Sequence, residues 1–514
     1  MPFLPLSTIL RLRKELEGTA AEILTWGSDG YGDGIKQWSD SCDEQVGAVV
    51  RVTSAGEAAA VVRFAACHQI PFAVRGGGYS TSGASTTRGG IVLDLFYLRR
   101  VHVDPVSQVL TAQGGALWED IDVAAAQHRL AVVGSTLNHI GAAGATLGGG
   151  YGWLTGQYGL AIDNLLSAKM ILADGSVVTA SEEQHSDLFW AIRGAGQSFG
   201  VAIEMSFQAH QQNHPVFAGT LLFSADKLPR IVDFVNQFET LTDGMQGFWF
   251  GFTSSLSMGE RSILVVVFYN GNQTDAEQFF SPVLSLDPMV NETQMLPYDS
   301  LNGMLNAMDT MSRRRSLEGF DITFPVDEIV GPRKSLRGSN ITLPLDPNFV
   351  VSIYHEFDGI LRDFPLARDS VLLFELLPNT QVAKIHNDAT AFASRGPYYN
   401  VSSLFRWHDS HLDKKIHSLQ TDLMSRIGTR AGIRVRPDYN ITRHGTGVYA
   451  NYAGILTHLA QKSISTNKIA GNDLPNEEIF GHNLARLRGL KKKYDPDNIF
   501  RKWHNIKASI DTPG

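Results

Sequence analysis

Apolar and polar positions alternate along the chain in two different textures. Between residues 47 and 180, short β-branched runs, GAVVRVT (47–53), GIVLDL (90–95) and SVVTA (176–180), alternate with alanine-rich stretches such as SAGEAAAVVRFAACHQ (54–69). The runs predict strands and the alanine-rich stretches predict helices, so this part reads as α and β elements around a central ligand. From about 215 to 440 the runs lengthen, as in SILVVVFY (262–269), SVLLFELL (370–377) and YNVSSLFRW (399–407), with amphipathic helical patterns between them. That texture predicts an antiparallel sheet covered by helices on one side. As a strand, VLLFELLP puts Leu373, Glu375 and Leu377 on one face. If that face is buried, desolvation raises the Glu375 pKa and makes it a general acid; if it faces water, Glu375 is surface charge. NEEIFGHNLARLRGLKKKYDPDNIF (476–500) predicts an amphipathic helix stopped by Asp-Pro-Asp. At the other end, a surface helix is expected to enter at Ser7, with Ile9, Leu10 and Leu12 on or near one face.

Composition narrows the class. With 514 residues, 43% hydrophobic and 19% charged, the chain suits a soluble protein of two domains. No apolar run approaches the roughly 20 residues of a membrane-spanning helix, and a net charge of −8 argues against nucleic acid. The basic clusters Arg313–Arg315 and Lys491–Lys493 read as solvated faces. The N-terminal apolar stretch is short, broken by Pro2 and Pro5, and followed by its positive charges, unlike a signal peptide. A cytoplasmic protein is expected, with secretion the alternative that Asn-x-Ser/Thr triplets at Asn272, Asn291, Asn340, Asn400 and Asn440 favour. Cys42 and Cys67 alone make no disulfide framework, and two reduced thiols are expected. His408 and His411 lack a third ligand and read as solvated.

Glycine supplies the chemistry. RGGGYSTSGAS (75–85), GAAGATLGGGYGWLTGQYG (141–159) and RGAGQSFG (193–200) crowd glycine into three segments. A phosphate that leaves water needs donors, and backbone N–H groups supply them where glycine lets the chain turn sharply and approach closely. Gly76–Gly78 with Ser80 and Gly83 suit a loop on phosphate, and Gly141 to Gly152 suit the opposite wall. GAGQSFG has one residue too many for Gly-x-Gly-x-x-Gly and no acidic residue placed for a ribose, so a Rossmann site is not expected.

In order and spacing, VRGGGYSTSGAS, GIVLDL, GATLGGGYGWLTGQYGLAIDNLLSAKMILADGSVVTAS and DLFWAIRGAGQSFGVAIEMSF resemble the FAD domain of berberine-bridge-enzyme-like oxidases. These belong to the vanillyl-alcohol-oxidase (PCMH-type FAD-binding) superfamily. YANY (449–452) and FGHNLARLRGLKKKYDPDNIF (480–500) resemble the family's C-terminal return to that domain. The resemblance implies an α+β fold: an FAD-binding part over residues 1–212 with its PCMH-type core at about 42–212, an inserted substrate part over 213–442 on an antiparallel sheet flanked by helices, and a return over 443–514. It implies FAD held by Arg75, Gly76, Gly77, Gly78, Tyr79, Ser80 and Gly83 of the first loop. From the second cluster it implies Leu137, Ile140, Gly141, Gly144, Gly148, Gly149, Gly150 and Gly152, and beyond it Gly200, Val201 and Asn451. A small-molecule substrate and a monomer or homodimer are expected, with no nucleic acid, membrane or metal.

Departures from the family bear on the reaction. Where many relatives bond FAD through a histidine this chain has Tyr79, and where they use a cysteine it has Leu137. FAD is therefore expected to be noncovalent and a weaker oxidant, and His139, two residues on, is expected to pack or hydrogen-bond. Hydride loss from a carbon normally requires a group that takes the attached O–H or N–H proton. The family's position for that base holds Ser402, a poor base without a histidine, which leaves Tyr449, Tyr151 and Glu375 as candidates. Tyrosine ionises near pH ~10, so either phenol needs a positive neighbour or hydrogen bonds. Ile140, where the family's valine accompanies oxidase activity, leans toward a dehydrogenase or a redox-neutral enzyme. The expected activity is oxidation of a small secondary metabolite. A redox-neutral cyclase or isomerase with structural FAD is the alternative, and a flavin carrier without catalysis the third reading.

Overall fold

A computed structural model describes residues 4–254, 261–306, 333–452 and 476–508. The first strand-and-helix texture folds into two small sheets. In one, Ala48–Arg51, Ile91–Asp94 and Phe72–Arg75 run parallel, with Glu22–Leu24 antiparallel at the edge. Helix Ala55–Cys67 makes the crossover and starts on a capping box in which Ser54 accepts from the Glu57 amide and Glu57 accepts from the Ser54 amide. Its run of small buried residues lets it lie close on the sheet. The other sheet has five antiparallel strands in the order Val101–Asp104, Val109–Gln113, Val201–Gln208, Leu165–Ile171, Val177–Ser181.

The longer runs form an eight-stranded antiparallel sheet between Val216 and Trp407. Helices Leu228–Val235, Gln273–Leu284, Pro347–Asp363 and Asp413–Ala431 bury one face of it in a phenylalanine-rich core. Part of the opposite face packs on the first half of the chain, where Trp153 stacks on Trp249 at 4.9 Å. The rest of that face is the floor of a cleft. Strand Val371–Leu376 is buried throughout because both faces are used: Leu372, Phe374 and Leu376 enter the helix-covered core, while Val371, Leu373 and Glu375 line the cleft.

Helix Leu484–Tyr494 ends before Asp495-Pro496-Asp497 and packs back against the first half through Leu484 and Leu487. It corrects one expectation: Lys491 is fully buried and donates to Asp495 Oδ2 (2.6 Å), Ser198 O (2.6 Å) and Phe500 O (2.8 Å). A buried ammonium persists only when paired and fully hydrogen-bonded, and this one pins the returning tail. Arg313–Arg315 lie outside the described residues. The first helix spans Leu6–Glu15 and buries Leu12, with Leu10 turned outward. Cys42 is buried, Cys67 is exposed, and both are free thiols. Asn400 and Asn340 are buried, with the Asn340 amide bonded to Gly447 and Ile433, so neither triplet presents an acceptor for a glycan in the folded protein. Among the described residues no helix is long and apolar enough to cross a membrane.

Candidate active site

The cleft encloses about 310 Å³ between the glycine segments and the large sheet. Strand Phe72–Arg75 delivers the first loop into it, and the two glycine clusters meet back to back. A Cβ on Gly77 would stand 2.6 Å from Gly141 N, and one on Gly141 would stand 2.6 Å from Gly77 N, so the main chains touch and neither position tolerates a side chain. Gly144 has open space where its Cβ would be. Gly76 through Ser80 border the cleft from the first loop, and Leu137, Ile140, Gly141 and Gly144 border it from the second. Gly200, Val201 and Asn451 join them from farther along the chain.

The remaining cofactor candidates do not line the cleft, for identifiable reasons. The Arg75 guanidinium turns to Asp94 (3.3 Å) and the Gly34 carbonyl (2.7 Å). Gly83 takes a left-handed turn at φ +74° outside the lining. The rear of the second cluster is packed instead of open. A Cβ on Gly148 would meet Asn451 Oδ1 at 2.1 Å, one on Gly150 Ala161 at 2.3 Å, and one on Gly152 the Gly134 carbonyl at 1.8 Å. Gly149 lies against Phe392 and Tyr449. Gly149 lets Tyr449 sit close to the main chain, and Gly148, Gly150 and Gly152 admit Asn451, Ala161 and Gly134 in the same way.

At the two positions where relatives carry attachment residues, aromatic and aliphatic packing is found. Tyr79 stacks on Trp38 with ring centroids 3.9 Å apart and meets His139 at 5.2 Å on a tilt. His139 Nδ1 lies 3.2 Å from Asn306 Oδ1, and Leu137 packs beside the Trp153–Trp249 cluster.

Glu375 occupies the floor. It is 1% exposed, and burial pushes its carboxyl up to about 7. Ser402, diagonal to it across the strand pair, donates to Oε1. Tyr452 reaches the same carboxyl at 3.1 Å (Oε2) and 3.3 Å (Oε1). Ser402 thus acts as a donor to a carboxylate instead of a base in its own right. The tyrosines go the other way from a base. Burial, then the Glu375 charge, raises Tyr151 well above its ordinary value. Burial pushes Tyr449 up to about 12, against hydrogen bonds from Asn451 and Gly150. Tyr151 donates to the Glu375 carbonyl (3.1 Å), and Asn451 Nδ2 donates to Tyr449 Oη (3.0 Å) and to Ala145 O (2.9 Å). Both remain neutral phenols at ordinary pH. Nothing in the YANY motif says which tyrosine faces the acid, so the role of Tyr452 is legible only in the fold. Trp38 carries no sequence signal of its own, because its contact partner, Tyr79, lies far along the chain.

The lining fits FAD. Side-chain-free main chain at Gly77 and Gly141, the Ser80 and Ser82 hydroxyls (2.8 Å apart) and the cations Arg501 and Lys502 at the cleft edge are the donor set a pyrophosphate needs. Residues 46–181 match the family described as FAD binding domain, and residues 469–507 match that described as Berberine and berberine like. FAD-linked oxidoreductase pgmH of Aspergillus terreus is 32% identical over 97% of this chain and 95% of its own. (R)-6-hydroxynicotine oxidase of Paenarthrobacter nicotinovorans is 32% identical over 89% and 90%. In fold, BBE-like 1 of Physcomitrella patens superposes with a TM-score of 0.77 at 20% identity, covering 97% of this chain and 99% of that one. Fold, cradle and likeness agree: the chain is an FAD-linked oxidoreductase and belongs to the berberine-bridge-like family.

Proposed function

We propose that this enzyme oxidises a small secondary metabolite by hydride transfer, with Glu375 as the acid–base group and FAD held without a covalent bond. The observation that carries the reading is a buried carboxyl near pH 7 on the cleft floor, hydrogen-bonded by Ser402 and Tyr452. When bound, FAD supplies the hydride acceptor. Glu375 in its carboxylate form takes the hydroxyl or amine proton as the adjacent carbon is oxidised, and a base poised near the working pH is the efficient choice. Ser402 and Tyr452 stabilise that carboxylate, while Tyr151 holds the strand beneath it through the Glu375 carbonyl. We take the chain to divide at 1–212, 213–442 and 443–514, a reading that the cleft between the glycine segments and the large sheet supports.

The clamp of Trp38 and His139 on Tyr79, with Leu137 in an apolar cluster, supports noncovalent FAD. Acid precipitation of the purified protein checks it: yellow colour moves wholly to the supernatant, and colour kept in the pellet contradicts it. Ile140 on the cleft wall supports slow reaction with oxygen. The activity is tested by mixing the FAD-loaded enzyme anaerobically with secondary alcohols and cyclic amines, (R)-6-hydroxynicotine among them. Bleaching of the flavin is the expected result.

A second reading has one observation behind it. A carboxyl half-protonated near neutrality can also donate, as a redox-neutral cyclase or isomerase requires. Turnover that conserves substrate mass, consumes no oxygen and persists with reduced flavin would select it over hydride transfer.

A further inference from the structure

The floor of the cleft carries a polarity gradient that proton transfer alone does not use. Strand register sorts it into rows. Leu336 pairs with Leu404, and Leu404 pairs with Val371 on its other side. The next row is Gly338, Ser402 and Leu373. The third sets Asn400 beside Glu375, with Trp249 on the strand beyond. Rows on one face are two residues apart, so the aliphatic row and Glu375 are separated by about 13 Å along the strand. Leu336 and Leu404 are only half-buried and border the cleft. Arg406, one row farther, ends the aliphatic strip.

The hydroxyls around this floor are engaged at its acidic end. Ser402 and Tyr452 bond the Glu375 carboxyl, Tyr151 bonds its carbonyl, and Tyr449 accepts from Asn451. Gly338 is what lets Tyr452 reach: a Cβ there would stand 2.5 Å from Tyr452 Cβ. The aliphatic row offers no donor or acceptor from its side chains.

We infer, granting the oxidoreductase reading above, that the substrate is an elongated, largely apolar ring compound with one proton-bearing hydroxyl or amine at the end that meets Glu375. The ring body lies over Leu336, Leu404 and Val371. A polyol laid there gives up hydration over three side chains that offer no hydrogen bond in return, so carbohydrates are selected against.

The test reads binding, independent of turnover. The full FAD-loaded chain is titrated with β-naphthol and with cellobiose while the flavin absorbance is followed. β-Naphthol gives a saturable spectral change and cellobiose none. Leu404→Asn weakens β-naphthol binding by about tenfold or more at unchanged FAD content, and Leu336→Asn serves where Leu404→Asn fails to fold. Cellobiose binding as tightly as β-naphthol, no response to β-naphthol, or wild-type affinity in the folded variant would overturn the assignment. Flavin bleaching by a donor reports on the oxidoreductase reading separately, so either can fail alone.

Discussion

The two walls of the cleft are built on opposite terms. On the glycine side the chain removes side chains so that main chain meets main chain, as at Gly77 and Gly141, and the cleft there is bordered by backbone and small side chains. On the sheet side the chemistry is a single carboxyl kept out of water among leucines and tyrosines, and a glycine, Gly338, is left bare where Tyr452 must reach it. The first wall is closed to side chains at Gly77 and Gly141, where any substitution collides with backbone. The second tunes a proton, and its response to substitution should be graded by how closely each residue touches Glu375.

That contrast is broken most directly at the acid itself. Glu375→Gln should retain FAD and slow donor-dependent flavin bleaching by about 10²–10⁴-fold, as loss of a general base does; rapid mixing measures it. The same substitution reports on stability. The folded carboxyl sits at about 7 against an ordinary 4.5, so the folded state binds the extra proton between those values. The stability this proton brings is complete below 4.5 and is lost as pH rises through about 7. Glutamine does not titrate, so the unfolding free-energy advantage of Glu375→Gln should grow across that window and then level off, at a size on the order of 3 kcal/mol, read by chemical denaturation at each pH. A difference independent of pH would mean the carboxyl is not buried as described.

The glycine wall should answer in occupancy instead of pH. Gly77→Ala places a Cβ 2.6 Å from Gly141 N. Overpacking of that kind costs about 1–3 kcal/mol, and FAD affinity should fall about tenfold or more, read by flavin fluorescence on dialysis. Tyr452→Phe is the mildest change. It removes a donor that lowers the Glu375 pKa, so the limb of the bleaching rate should move to higher pH by about one unit or less. FAD content should stay unchanged.

The same contrast governs what was readable in the sequence. The glycine runs at Gly76–Gly78 and from Gly141 suggest a close backbone approach, and at Gly77 and Gly141 the main chains do meet where the cleft forms. Gly148 to Gly152 carry an identical signal for a different cause, packing beneath Tyr449 and against Ala161 and Gly134, which composition cannot separate. Period-two alternation places Leu373 and Glu375 on one face, yet whether that face meets water depends on distant segments that close over it, Tyr151 and Tyr452 among them. Ser402 read as a defective base because its partner lies on a neighbouring strand, 27 positions away. Lys491 read as solvent charge because its acceptors, Ser198 and Phe500, come from two other segments. Local pattern carried the elements; the chemistry waited on cross-strand register.

The most direct test of Glu375 as the proton acceptor is the pH dependence of anaerobic flavin bleaching in wild type and Glu375→Gln, with the first donor found to reduce the enzyme. The account predicts a wild-type rate that climbs as pH rises through about 7 and then levels, and a slow, flat profile in the variant. A limb near 7 that survives in Glu375→Gln at wild-type amplitude would contradict it and assign the proton to another group.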